Sequence, residues 1–160
     1  MDYQAIDAVV NIWTSEALSH RPDWTDEFFV GKVKGKHDSS GISLEKMLEG
    51  MDAAGIELAF LVAAKSGRVG LPGCYHMPAE VVSRAVDKYP NRFLGLIGID
   101  PYTGMEGVRA LEDAVKNMGF IGAHLYPHWF ELAPNHAKYY PFYSKCIELD
   151  IPIQMQVGQS

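Results

Sequence analysis

The sequence has few of the features expected of a nucleic-acid-binding or membrane-spanning protein. Its 14 Lys and Arg residues are outnumbered by 20 Asp and Glu residues, and no basic block could follow a phosphate backbone. No apolar run approaches the ~20 residues of a membrane span, and Asp2 stands where a secretory signal needs positive charge. We therefore expect neither nucleic acid nor membrane as a partner, and predict a cytoplasmic location.

Cysteine is also scarce. Cys74 and Cys146 are far apart and match no zinc or redox spacing, and a reducing compartment does not favour a disulfide between them. Cys74 stands close to His76, and a thiol beside an imidazole can act as a nucleophile. Neighbouring loop residues rarely point at each other, so two independent side chains are the favoured interpretation.

The sequence does contain enough apolar residues for one sizeable core. Hydrophobic residues make up 48% of the 160 positions, which is typical of a single domain spanning residues 1–160. Within it, residues from about 13 to 42 are polar and irregular, with interspersed aromatics. This segment is predicted to be a long first loop.

Strand and helix patterns alternate along the rest of the chain. The predicted strands are Tyr3–Ile12, Ile56–Ala64, Phe93–Ile99, Gly122–Tyr126 and Ile151–Val157. The predicted helices are Leu44–Ala54, Pro78–Lys88, Gly104–Met118 and Ala137–Leu149. A unit of strand, loop, helix and turn that recurs about every 30 residues predicts an α/β protein with a parallel sheet.

Polar side chains on single faces of the strands favour a barrel over an open sheet. An open α/β sheet has apolar residues on both faces, whereas alternation puts Asp7, Asn11, His124, Gln154 and Gln156 each on one face. These positions suit the interior of a (β/α)8 barrel of the TIM type. The chain would supply about the first five of its strands.

The stretch GFIGAHLYPHWF carries the strongest functional signal. In a strand, His124 and Tyr126 share one face and Ala123 and Leu125 share the other, and His128 follows in a loop. A polar pair on a buried face is costly unless it lines a ligand cavity or finds hydrogen-bond partners. Both readings remain open for His124, and His128 could equally be a surface residue.

Several motifs together resemble the amidohydrolase-related metal-dependent hydrolases and decarboxylases, whose members include aminocarboxymuconate semialdehyde decarboxylase. They are IDAVVN, SLEKMLEGMDAAGIELAFLV, NRFLGLIGIDP, GFIGAHLYP and LDIPIQMQVG. The resemblance implies a (β/α)8 barrel with a divalent metal such as zinc at its mouth. Two histidines of a first-strand HxH motif and one fifth-strand histidine would hold that metal.

The sequence departs from the family pattern at these ligand positions. Val9 and Asn11 stand where the resemblance places the two first-strand histidines, and Gln156 stands where it places the fifth-strand histidine. Valine cannot coordinate a metal, and amide oxygens are weak partners for zinc. No residue is therefore assigned as a metal ligand, and the cofactor stays open.

The candidate site residues lie at or beyond the carboxyl ends of the predicted strands, where barrels place their sites. His124 and His128 are the catalytic candidates because imidazole titrates near neutral pH. The substrate-binding candidates are Asn11, Lys65, Asp100, Tyr126 and Gln156. For Asn11, Gln154 and Gln156, mutual hydrogen bonding across the barrel is the alternative.

The leading functional hypothesis is an enzyme, a hydrolase or carboxy-lyase acting on a small carboxylated or cyclic substrate. The competing hypotheses are a non-catalytic barrel relative that binds a small molecule, and an incomplete fragment without activity of its own. Unpaired edges of a five-stranded sheet invite association. We therefore expect a homo-oligomer or pairing with a C-terminal half-barrel.

Overall fold

The computed structural model describes residues 5–25 and 40–157, which form half of a (β/α) barrel. The strands are β1 (Ala5–Val10), β2 (Ile56–Ala63), β3 (Lys65–Ser66), β4 (Tyr75–His76), β5 (Phe93–Gly98), β6 (Phe120–Leu125) and β7 (Ile153–Met155). The α-helices are α1 (Ser15–Ser19), α2 (Leu44–Ala53), α3 (Ala79–Lys88), α4 (Gly104–Asn117) and α5 (Tyr140–Glu148). Short 3-10 helices span Pro127–Phe130 and Ala137–Tyr139.

The main sheet has the order β1-β2-β5-β6-β7, and every neighbouring pair is parallel. This arrangement confirms the prediction of five parallel strands in sequence order. The predicted fifth strand is longer than the observed one, Ile153–Met155. Strands β3 and β4 form a separate antiparallel ladder that the sequence analysis did not predict. Two-residue strands are too short to show a period of two.

Local signals explain where the helices begin and end. The Ser43 hydroxyl accepts a hydrogen bond from the Lys46 amide at 3.2 Å, and Gly55 follows α2 with a φ of 70°. The predicted helix over 137–149 divides into a 3-10 turn and α5, and Pro141 lies in the first turn of α5. In the described part of the chain, no helix is long and apolar enough to cross a bilayer.

The core lies where these helices pack on the sheet. Strand β5 is central, and five of its six residues are buried. Helices α3 and α4 each turn an apolar stripe towards the sheet, and the stripes consist of Val81, Val82, Ala85, Val86, Val108, Leu111 and Ala114. Burying each such valine or leucine contributes about 1.5–3 kcal/mol, so these two stripes fix the helices on the sheet.

A backbone hydrogen bond joins the two ends of the first loop. The Ile42 amide donates to the Trp13 carbonyl at 2.9 Å, and the loop contains α1, a helix that the sequence analysis did not predict. The Trp24 ring stacks on the Trp129 ring with centroids 5.7 Å apart, so one predicted aromatic anchor of this loop packs near the carboxyl end of β6. Phe28 and Phe29 lie outside the described residues.

One hydrogen bond joins the two edge strands of the sheet. The Gln154 side-chain amide on β7 donates to the Ala8 carbonyl on β1 at 2.8 Å. Four strand spacings of about 4.8 Å would hold these edges roughly 19 Å apart in a flat sheet. The sheet is therefore strongly curved, and the Gln154 side chain crosses its concave interior.

Gly98, at the end of β5, lies where the sheet leaves no room for a side chain. A Cβ at Gly98 would overlap the Ala63 carbonyl and lie 2.7 Å from the Lys65 amide nitrogen, both of which are backbone atoms. We expect Gly98→Ala to lower the free energy of unfolding by about 1–3 kcal/mol, measured by urea denaturation.

The control for this change is Gly50→Ala in α2, where an added Cβ meets nothing within 4 Å. Alanine is the better helix former, so this variant should gain about 0.5–1 kcal/mol. A loss of stability at Gly50 as large as that at Gly98 would contradict the steric explanation.

A second prediction concerns the edges of the half-barrel. Among the described residues, β1 pairs only with β2 and β7 only with β6, and the apolar side chains of Ile6 and Val157 are 58% and 77% exposed. We expect the isolated 160-residue chain to self-associate, as size-exclusion chromatography with light scattering would measure.

Placing a charge on the edge strand tests where the association occurs. Ile6→Lys should weaken it, whereas Ile147→Lys on α5, where Ile147 is 81% exposed, should not. A folded wild-type monomer with a cooperative thermal transition would refute the prediction.

Candidate functional site

The pairing of β6 with β7 builds a cavity on the concave face of the half-barrel. His124 is the cross-strand partner of Gln154, and paired residues of parallel strands project to the same face. The resulting inner-face cavity has a volume of about 500 Å³. Its lining residues are Val9, His124, Gln154, Met155, Gln156 and Val157.

Unsatisfied polar atoms project into this cavity. His124 is fully buried, and neither of its ring nitrogens has a hydrogen-bond partner among the described residues. The Gln154 carbonyl oxygen is likewise buried without a partner, although the amide nitrogen of the same side chain binds Ala8. A buried polar atom left unpaired costs about 1–3 kcal/mol. The cavity is thus chemically suited to a polar ligand that bonds to His124 and Gln154.

Burial fixes the protonation states of the His124 and Tyr126 side chains. Desolvation lowers the pKa of His124 to about 4, so its imidazole is neutral at pH 7 and offers one donor and one acceptor. The Tyr126 ring lies 4.3 Å from the His124 ring, as the predicted alternation requires. Burial also raises the pKa of Tyr126 to about 12, so its hydroxyl stays a donor. The site offers neutral hydrogen-bonding groups.

A second cluster of polar side chains lies at the carboxyl ends of β2 and β5. Lys65 pairs with His76 across the β3–β4 ladder, and the His76 imidazole nitrogen Nε2 is 4.0 Å from the buried carboxylate of Asp100. Burial lowers the pKa of Lys65, and the Asp100 and Glu80 charges oppose that shift. The structure therefore brings two predicted binding residues, Lys65 and Asp100, together with His76.

His76 is the residue that the sequence analysis undervalued. The segment between Lys65 and His76 contains the run GRVGLPG. Such a glycine-rich run between two short polar strands is the signal that predicts a hairpin. The neighbouring Cys74 is a free thiol, and burial together with the Asp100 charge raises its pKa. A protonated thiol is a poor nucleophile, which agrees with treating Cys74 and His76 as independent.

His128 is separated from His124. It lies in a loop cleft of about 260 Å³ between residues 67–73 and residues 128–131. The centroid of the Tyr126 ring lies 4.3 Å from that of His124 and 6.2 Å from that of His128. The two catalytic candidates thus line different cavities.

The remaining candidates divide between the cavity and the solvent. Gln156 lines the inner-face cavity, and its backbone amide donates to the Leu125 carbonyl at 3.0 Å. Asn11 is exposed just beyond the end of β1. Arg21, which the sequence analysis did not single out, lies 4.0 Å above the Trp13 ring and 5.4 Å from the Tyr75 ring. It lies in the irregular first loop, where no periodic pattern indicates its direction.

The three positions at which the resemblance expects metal-binding histidines carry no imidazole. Of the three positions at which it expects histidines, Val9 and Gln156 line the inner-face cavity and Asn11 is exposed beside it. Among residues 5–25 and 40–157, no three His, Cys, Asp or Glu side chains are grouped so that they could hold a metal ion. Among the described residues that line this cavity, His124 is the only one with an imidazole.

Comparison with known proteins identifies the family. The sequence model of the amidohydrolases matches residues 6–160, from the first strand through the fifth. The chain belongs to the amidohydrolase family. This result confirms the predicted resemblance and agrees with the observed half-barrel.

The most similar relatives include hydratases and decarboxylases. The chain is 33% identical over 89 residues to the 2-keto-4-carboxy-3-hexenedioate hydratase of Sphingobium sp., a match that covers 51% of this chain and 26% of that enzyme. The crystal structure of 4-oxalomesaconate hydratase from Rhodopseudomonas palustris matches 95% of this chain and 52% of that one, with 25% identity and a TM-score of 0.59.

A decarboxylase matches the fold still more fully. The structure of 5-carboxyvanillate decarboxylase from Novosphingobium aromaticivorans covers 99% of this chain and 52% of that one, with a TM-score of 0.73 and 18% identity. At that identity the likeness concerns the fold. The chain spans about half the length of these solved relatives.

The burial of His124 predicts an acid-dependent loss of stability. Because the folded pKa of about 4 lies below the ordinary value of 6.5, the unfolded chain binds a proton that the native state does not. The free energy of unfolding should therefore fall by about 2 kcal/mol between pH 7 and pH 5 from this residue alone. Urea denaturation at the two pH values measures the change.

The variant His124→Gln, which does not titrate in this range, should lack that part of the acid loss. His20→Gln, at an exposed position, serves as the control and should keep it. If the wild type and His124→Gln lost the same stability on acidification, the buried neutral imidazole would be refuted.

Proposed function

We propose that this protein is a lyase that acts on a small carboxylated substrate, with the inner-face cavity as the place where the substrate binds. The observation that supports this proposal is the pair of unpartnered His124 ring nitrogens in that cavity. Membership of the amidohydrolase family supports the enzyme class. Both hydratases and decarboxylases, the relatives reported above, cleave or form a bond without hydrolysis.

Between these two reactions, hydration of an unsaturated keto acid is favoured. The identities of 33% and 25% belong to hydratases of carboxylated keto acids, whereas the decarboxylase shares the fold at 18% identity. Decarboxylation of a hydroxylated benzoate is the second candidate, and it rests on the high structural similarity alone.

The chemistry available at the cavity begins with hydrogen bonding. The neutral His124 imidazole can accept a proton from a polarised group at one nitrogen and donate at the other. A bound carboxylate would stabilise the imidazolium and raise the pKa of His124, which makes the ring a better base in the complex than in the free protein. Gln154 and Gln156 would orient the substrate through their side-chain amides.

A metal is not assigned a role in this proposal, because the donors that line the cavity do not fit one. Analysis of divalent metals after purification without a chelator is therefore part of its test. A stoichiometric ion would show that the interpretation of Val9, Asn11 and Gln156 as a lost metal site is wrong. Turnover should then be compared with and without that ion.

The proposal predicts turnover that depends on His124. The protein should deplete the conjugated absorbance of 4-oxalomesaconate, and His124→Gln should lower kcat/KM by about 100-fold or more because it removes the acid–base group. The control is His20→Gln, which should retain the wild-type rate. Hydroxybenzoates assayed for carbon dioxide release test the second reaction.

The alternative of a non-catalytic binding protein gives a different result. Saturable binding of 4-oxalomesaconate or a hydroxybenzoate with no product would favour it, and the substitution of the three metal-ligand positions is the observation behind it. Turnover that is unchanged in His124→Gln would exclude the inner-face cavity as the catalytic site.

A further inference from the structure

Lys65 lies beyond the carboxyl end of β2 without a bonded partner for its ammonium group. Within the described part of the chain, it forms no salt bridge and its side chain makes no hydrogen bond. The residue is only partly exposed, and an added Cβ at Gly98 would lie 3.0 Å from its Cγ, so its methylene stem lies against β5. A partly buried amine without a bonded carboxylate is the arrangement that activates a lysine as a nucleophile.

The β3–β4 ladder places His76 beside this amine. Lys65 and His76 are cross-strand partners. The Met77 amide donates to the Ala64 carbonyl at 2.8 Å just outside this pair, so Lys65 and His76 form a non-hydrogen-bonded pair. Side chains approach most closely in such pairs, in which the Cα atoms are about 4.5 Å apart. The imidazole and the amine therefore extend from neighbouring points on one face of the ladder.

One hydrogen bond fixes the tautomer of the His76 ring. Its Nε2 lies 3.0 Å from the Gly67 carbonyl oxygen, which can only accept, so the proton of the neutral ring is on Nε2. The lone pair is then on Nδ1, and among residues 5–25 and 40–157 none bonds to that nitrogen. An imidazole nitrogen with a free lone pair can take a proton from a neighbouring amine and pass it on.

Burial and nearby charges act on Lys65 in opposite directions. Burial lowers the pKa of its amine, and the charges of Asp100 and Glu80 oppose that shift only in part. The Asp100 carboxylate is itself buried, with Oδ2 4.0 Å from His76 Nε2. Its fixed negative charge stabilises a cation that forms on the Lys65 nitrogen. The cluster therefore combines an amine, a proton carrier and a counter-ion.

From this placement we propose that Lys65 is a covalent site for aldehydes and ketones. The Lys65 nitrogen attacks the carbonyl carbon, and His76 carries a proton from that nitrogen to the carbonyl oxygen, which gives a carbinolamine. A second proton, taken from solvent, then lets the hydroxyl group leave as water. One amine, one carbonyl group and one proton thus yield an iminium ion and one water molecule, and the Asp100 carboxylate stabilises the iminium charge.

This site is separate from the inner-face cavity. Lys65, His76 and Asp100 are absent from the described residues that line that cavity. The proposal therefore does not depend on the proposed lyase activity, and either can fail without the other.

Reductive trapping of propanal on the intact chain tests the proposal. Excess cyanoborohydride converts each imine to a stable secondary amine, and peptide mapping by mass spectrometry gives the labelling rate of every lysine at pH 7. Lys65 should be labelled at least about tenfold faster than Lys46, because a positioned acid–base group accelerates proton transfer by more than that. Lys46 is exposed and paired with Glu49 at 2.8 Å. The α-amino group also reacts near neutral pH, and its peptide is mapped separately.

Matched histidine variants test the proton carrier. His76→Gln removes the Nδ1 lone pair, although its amide can still donate to the Gly67 carbonyl, and it should slow the labelling of Lys65 at least about tenfold. His20→Gln replaces an exposed histidine and should leave the rate unchanged. The rate at Lys46 should be the same in all three proteins, and an NMR spectrum verifies that each variant folds.

Two results would overturn the proposal. Equal labelling of Lys65 and Lys46 in the wild-type protein would show that the cluster does not activate the amine, and that comparison needs no variant. A Lys65 rate that His76→Gln leaves unchanged, or that His20→Gln lowers as much, would show that His76 does not carry the proton.

Discussion

The parallel register of β6 and β7 is the constraint on which the candidate site depends. It sets His124 beside Gln154 on the concave face of the sheet, and a shift of β7 by one residue would turn the Gln154 side chain away from the interior. The same register brings the Gln154 amide within 2.8 Å of the Ala8 carbonyl on the opposite edge strand. Pairing, curvature and the polarity of the cavity are therefore consequences of one alignment.

Much of the fold was predictable because its signals are local. The apolar run of β2, the Ser43 cap and the glycine after α2 each act within a few residues, and the structure confirms the elements that they predict. The β3–β4 ladder and helix α1 were missed, because elements of two or five residues carry no period.

The sequence predicted the face on which the side chains of the site lie, but not which of these side chains lie close together. Alternation placed His124 and Tyr126 on one face, and their rings do lie together. No sequence pattern could show that His124 and His128 would line different cavities, or that the hairpin after β2 would bring the His76 imidazole within 4.0 Å of the Asp100 carboxylate. Those distances arise from loop geometry, which is set by long-range packing.

The Gln154 side chain also limits the shape of the interior. Because its hydrogen bond to Ala8 spans the space between the edge strands, it closes the hollow at the depth of His124, whereas Val9 and Gln156 stand one step nearer the mouth. A molecule that enters from the carboxyl ends of the strands would be stopped by the Gln154 amide. Short, compact molecules can reach the imidazole, and Gln154 thus limits the length of the ligand that the interior accommodates.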